Sequence, residues 1–145
     1  MSTTGAVRAP RWFMVIAIVA LVWNLLGIAA YLMQVMMTHE ALAALPEAQR
    51  MLYQDVPSWA IAAFAIAVHA GALGCLLLVL RKSLAVAVLW LSLIGALVQM
   101  YHSFFVANAL EVLGPGGLVM PVLVIVVAIY LVVLARSAKG RGWLN

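Results

Sequence analysis

Apolar residues fall along this chain in four long runs, over residues 12–37, 59–80, 83–107 and 118–135. Each is long enough to cross a bilayer as a helix, since about 20 residues rising about 1.5 Å apiece span a hydrocarbon core about 30 Å thick. Helices are required, because an open sheet would leave backbone groups unpaired in lipid. The alternating segments of about ten residues that build a β-barrel do not occur. The expected fold is all-α: a four-helix transmembrane bundle forming one domain over residues 1–145. The first run exceeds the apolar core of about 7–15 residues in a secretion signal, so it is expected to remain as a span.

Polar residues punctuate the runs. Leu80-Arg81-Lys82-Ser83 is so short a turn that spans two and three must form an antiparallel hairpin. Leu113-Gly114-Pro115-Gly116-Gly117 breaks the helix and turns the chain back. Residues 38–58 form the one sizeable connection. Within it Pro46 suits a first helical turn, and Leu45, Gln49 and Leu52 are spaced for a short helix lying on the membrane surface.

Composition sharpens this picture. Hydrophobic residues make up 68% of the chain and charged residues 8%. Soluble domains have about 45–50% and about 25%. A water-soluble globule, a disordered chain and a nucleic-acid binder are excluded, and the lipid bilayer is the expected partner. The net charge of +4 reflects position rather than a nucleic-acid surface. Arg8, Arg11, Arg81, Lys82, Arg136, Lys139 and Arg141 all flank one side of the four spans. Arg50 and all four acids, Glu40, Glu47, Asp55 and Glu111, flank the other. The positive-inside rule then predicts both termini in the cytoplasm, and so one-sided a bias argues against dual-topology insertion. Trp12, Trp90 and Trp143 are expected at the inner interface, Tyr53 and Trp59 at the outer one.

Small residues let helices approach closely in lipid. Span two has two ridges of them, Ala63, Ala67, Gly71 and Cys75 beside Ala62, Ala70 and Gly74, and is expected at the centre. Span four has few and is expected at the periphery, facing lipid or a partner. Cys75 is the lone cysteine, which excludes an internal disulfide or thiol pair.

Polar side chains at membrane depth are costly and are candidates for function by default. Asn24, Gly27, Tyr31 and Gln34 share one face of span one, and Ser92, Gly95, Gln99 and His102 repeat that spacing on span three. Span two adds His69. Counted from the nearest basic flank, Asn24 lies about 20 Å deep and His69 about 18 Å deep. Counted from Ser83, Gln99 lies about 24 Å and His102 about 28 Å in. The expectation is a seam in which His69 converges with Asn24 and Gln99. Trp23, also deep, needs an acceptor for its indole N–H. Two readings fit the seam. Its members are interhelical hydrogen-bond glue, or they line a path for a polar solute, water or a proton, with His69 as the titrating group.

No cofactor is expected. Haem wants two histidines at one level, and His69 and His102 differ by about 10 Å along the normal. A metal site lacks carboxylates at depth. The intramembrane glutamate of small multidrug exporters is missing.

The pattern Trp23-Asn24-x-x-Gly27, Pro57-x-Trp59, Gly71-x-x-Gly74, Arg81-Lys82 and Ser92 to Gln99 resembles a group of small four-span bacterial inner-membrane proteins, many labelled "sugar transporter". The resemblance covers nearly the whole chain. It implies a four-helix fold in a bacterial plasma membrane and adds to the case for transport. The functional expectation is binding or transport of a small polar solute through Asn24, Tyr31, Gln34, His69, Gln99 and His102, with a homo-oligomer completing the wall. The alternative is a non-catalytic accessory or assembly subunit of a larger membrane complex, docked through the bare apolar face of span four. A membrane enzyme acting on lipid ranks third.

Overall fold

A computed structural model describes residues 7–145, which are helical with short connections and include no strand. The helices are α1 (Arg11–Val35), α2 (His39–Ala43), α3 (Glu47–Tyr53), α4 (Ser58–Val79), α5 (Ala85–Tyr101), α6 (Ala109–Leu113) and α7 (Val119–Gly140). A π-turn at His102–Val106 extends α5, and a 3-10 turn at Pro115–Leu118 leads into α7. Four segments are long and apolar enough to cross a membrane: Arg11–Val35, Ser58–Val79, Ala85–Val106 and Pro115–Gly140. They match the four expected spans. The largest difference is at the end of α7, which runs past Arg136 and Lys139 to Gly140. Long basic side chains lay their methylene stems along the helix and keep their charges in water, so a charge need not end a span.

The long connection contains two short helices where the sequence predicts one. Thr38 caps α2, its hydroxyl oxygen accepting from the Ala41 N–H at 3.1 Å. Pro46 immediately precedes α3, as its fixed φ favours. Helix α3 packs on α6, so the two loops cover one end of the bundle together.

The hairpin turn is as short as expected. Helix α4 ends with Arg81 in the left-handed region (φ 58°). The Arg81 N–H donates to the Leu78 carbonyl and the Lys82 N–H to the Leu77 carbonyl, at 3.0 and 2.8 Å. This paired reversal satisfies carbonyls that a helix end would leave open.

Helix α4 is central, packing on α1 and on α5, while α7 packs on α5. The four spans thus form a curled row, α1–α4–α5–α7. The ends of the row meet at the side that carries most of the basic residues. There the Trp143 ring lies 5.6 Å from Trp12 and 5.5 Å from Phe13. The Arg141 guanidinium sits 5.3 Å over Trp143. The Ser83 N–H donates to the Asn145 carbonyl, and the Asn145 N–H donates to the Arg81 carbonyl, both at 2.7 Å. All seven of the basic residues grouped by sequence therefore lie at this basic end, and the 38–57 connection lies at the other, the loop end.

Burial is uneven along the outer helices. The buried residues of α1 are Phe13, Ala17 and Ala20; those of α7 are Leu131, Val132, Leu134, Ala135 and Ala138. Both sets lie toward the basic end, where they join Cys75, Leu78, Ala85 and Leu89 in one core. Toward the loop end α1 and α7 share no such core.

Candidate functional site

The site is built on the close approach of α4 and α5. A Cβ on Gly95 would lie 2.9 Å from both the Ala63 carbonyl oxygen and the Ala67 backbone nitrogen, so the two helices touch backbone to backbone here. The hydroxyl of Ser92, one turn earlier, is buried and donates to the Ala67 carbonyl at 2.6 Å. This is the arrangement that small residues permit in lipid.

Helix α1 joins them at the same level. The Asn24 amide nitrogen donates to the Ala20 carbonyl at 2.9 Å and lies 3.5 Å from Cys75 Sγ. Its amide oxygen occupies the place where a Cβ of residue 71 would be, and that Cβ would also come within 3.1 Å of Ser92 Oγ. Asn24, Gly71, Cys75 and Ser92 therefore form a polar node shared by three helices. One turn further, a Cβ on Gly27 would meet Val68 Cγ1 at 3.0 Å.

From this node a cleft of about 450 Å3 extends between α1 and α7. Helices α4 and α5 form its floor through Phe64, Ala67, Val68, Leu89, Ser92, Ala96 and Gln99. Trp23, Asn24, Gly27 and Ala30 line one wall; Met120, Pro121, Val124, Ile125, Ala128 and Leu131 line the other. From Met120 to Leu131 it runs about 16 Å along α7 at the helical rise. At the rim Leu26 is 63% and Met120 59% exposed, so the cleft is open at the side, between α1 and α7. Its lining carries no charged residue, and its polar side chains are Trp23, Asn24, Ser92, Gln99 and Ser103. Gln99 and Ser103 stand one turn apart near the loop end of the floor.

The residues singled out in the sequence divide three ways. Asn24 and Gln99 both line the cleft. His69 does not: it is exposed, and its Nδ1 lies 2.7 Å from the carbonyl of Ala65 on its own helix. Its ring meets Tyr31 edge-on at 5.4 Å, and Tyr31 also meets Phe64 edge-on at 5.5 Å. The expected convergence of His69 with Asn24 and Gln99 is therefore absent. Ala67, Gly71 and Cys75 face the packed side of α4, and position 69 lies about 200° around the helix from position 67. His102 is buried at the start of the π-turn, edge-on to Trp59 at 5.4 Å, and is not part of the cleft. Gln34 is half-buried near the end of α1 and also lies off the cleft.

The sequence reading missed the α7 wall. Its signal was present: Pro121 and Ala128 interrupt a run of Val, Ile and Leu, and positions 121, 124, 125, 128 and 131 share one helical face. Ser103, four residues after Gln99, was also missed. Among the described residues no three His, Cys, Asp or Glu side chains group as a metal site would need. A scan against protein-family models, a search of curated proteins and a search of solved structures each return no match.

Proposed function

We propose that this integral membrane protein binds a small amphipathic molecule that enters the cleft between α1 and α7 from the lipid. The single observation that carries this reading is a charge-free cavity at membrane depth, open sideways, with an apolar α7 wall and its few hydrogen-bonding groups on the floor and the α1 wall. A ligand leaving lipid gains little from the hydrophobic effect, because acyl chains are as apolar as the walls. Affinity must come from close contacts and from hydrogen bonds that lipid cannot offer. Gln99, Ser103 and the Trp23 indole are the groups placed to make them. The ligand class that fits has an apolar body lying along Val124, Ile125 and Leu131 and one hydrogen-bonding group near Gln99.

Passage of a polar solute is less well supported. Asn24 and Ser92 already use donors on the Ala20 and Ala67 carbonyls. Toward the basic end the space closes against the core of Phe13, Leu78, Leu89 and Leu131. We place the protein in a bacterial plasma membrane with its basic end cytoplasmic; the one-sided distribution of basic residues supports that orientation.

The test is to fill the cleft. Ala30→Phe with Ala128→Phe adds two rings at its walls and leaves the α4–α5 interface intact. Protein purified in mild detergent is extracted and its lipid-soluble small molecules are compared by mass spectrometry. The wild type should carry a molecule in near-stoichiometric amount that the double variant lacks. Identical extracts from two equally folded proteins would refute ligand binding in the cleft.

A further inference from the structure

A second site lies on α1 beyond the cleft. The exposed face of α1 through the membrane is aliphatic: Val15, Ile18, Val19, Val22, Leu25 and Leu26. At its loop end the composition changes to Met33, Met36 and Met37 within five residues. Met33 and Met36 are not packing residues, being 72% and 74% exposed. Met33 lies in the last turn of α1, Met36 is its C-cap residue and Met37 is the first residue beyond it. They line one shallow concavity together with Leu32, Thr38 and Ala41. This is the point where the chain leaves the span for the 38–57 connection, so the sulfurs sit where aqueous ions can reach them.

Thioethers are soft, neutral donors. They bind magnesium, calcium or zinc poorly and select a soft monovalent ion, above all Cu(I). A neutral site also suits a single positive charge, and no carboxylate lines the concavity to attract a harder cation. His39 follows Met37 by two positions but is not among the lining residues, so the thioethers alone define the site. We propose that Met33, Met36 and Met37 form a Cu(I) site at the loop end of α1. It is independent of the cleft and of what the cleft binds.

The experiment is a competition between the full-length protein in detergent and the chromophoric Cu(I) chelator bicinchoninate, under ascorbate. The wild type should withdraw one Cu(I) per chain, and Ag(I) should displace it while Zn(II) does not. The Met33→Leu, Met36→Leu, Met37→Leu variant keeps size and apolarity, so its helicity and elution volume should match wild type while Cu(I) uptake is lost. X-ray absorption of the loaded wild type should show sulfur in the first coordination sphere. Failure of the wild type to compete, equal uptake by the leucine variant, or a sphere of nitrogen and oxygen alone would each overturn the site.

Discussion

The amide oxygen of Asn24 sits in the space left by the missing side chain of Gly71. Neither residue explains itself. A glycine at the middle of a span is a poor helix former, and an asparagine at that depth is costly; together they let α1 seat against α4 with the asparagine donor on the Ala20 carbonyl. Gly71→Ala should destabilise the bundle by about 1–3 kcal/mol, more than the roughly 1 kcal/mol of helix propensity it gains. In an Asn24→Ala background the same change should cost less, because the obstructing amide is gone and only the Ser92 hydroxyl, at 3.1 Å, stays close. Denaturant titration of the four proteins in micelles, followed by helicity, measures the coupling.

Ser92 and His69 are both polar and lie on adjacent helices, yet their substitutions should differ. Ser92→Ala removes a buried bond to the Ala67 carbonyl and should cost about 0.6–2 kcal/mol. His69→Leu replaces an exposed ring whose hydrogen bond lies within its own helix and whose edge-on contact with Tyr31 a leucine can also make, and should change stability by less than about 0.5 kcal/mol. It should also leave the molecules extracted with the protein unchanged, since His69 lies off the cleft. Loss of the co-purifying ligand in that variant would return His69 to the site.

The His102–Trp59 pair ties the start of α4 to the π-turn after α5. Trp59→Ala should expose His102 and loosen the loop end, with little effect on the basic end. Hydrogen exchange by mass spectrometry should show faster exchange over residues 99–107 and unchanged exchange over residues 75–90. Uniform acceleration across both segments would show that the pair supports the whole bundle instead.

Orientation is measurable because Cys75 is the lone cysteine and is fully buried. After Cys75→Ala, single cysteines placed at Gln54 and at Ser137 report the two ends. In intact cells an impermeant maleimide should label the Gln54→Cys protein and spare the Ser137→Cys protein. The reverse pattern would invert the proposed topology.

Most of the fold was legible in sequence because bilayer thickness and unpaired backbone groups leave few choices: four long apolar runs become four helices. Depth was also legible, since residues rise at a constant rate along a helix. Rotation about the helix axis was the weak point. Asn24 and Gln99 do line one cleft, but at different levels, Asn24 beside Ser92 and Gln99 two turns further toward the loop end. His69 was misassigned on depth alone, although Ala67 and Gly71 on either side of it already define the packed face. The π-turn gave no sequence warning; the face of Ser92, Ala96 and Gln99 continues to Ser103, while His102 beside it meets Trp59. The α7 wall was marked only by Pro121 and Ala128; the aliphatic run around them does not tell a lipid-facing Val124 from one facing a cavity.

Because α1 and α7 are clamped together only near Phe13 and Trp143, the pair behaves like tweezers gripped at one tip. Toward the loop end each rests on its own neighbour, α1 on α4 through Gly27 and Tyr31 and α7 on α5, and not on the other. Lateral pressure in the surrounding lipid, set by its acyl-chain packing and curvature, should then bear directly on the aperture. The bilayer is thus expected to be more than a solvent for this protein: the width of the proposed ligand cleft should follow the mechanical state of the lipid around it.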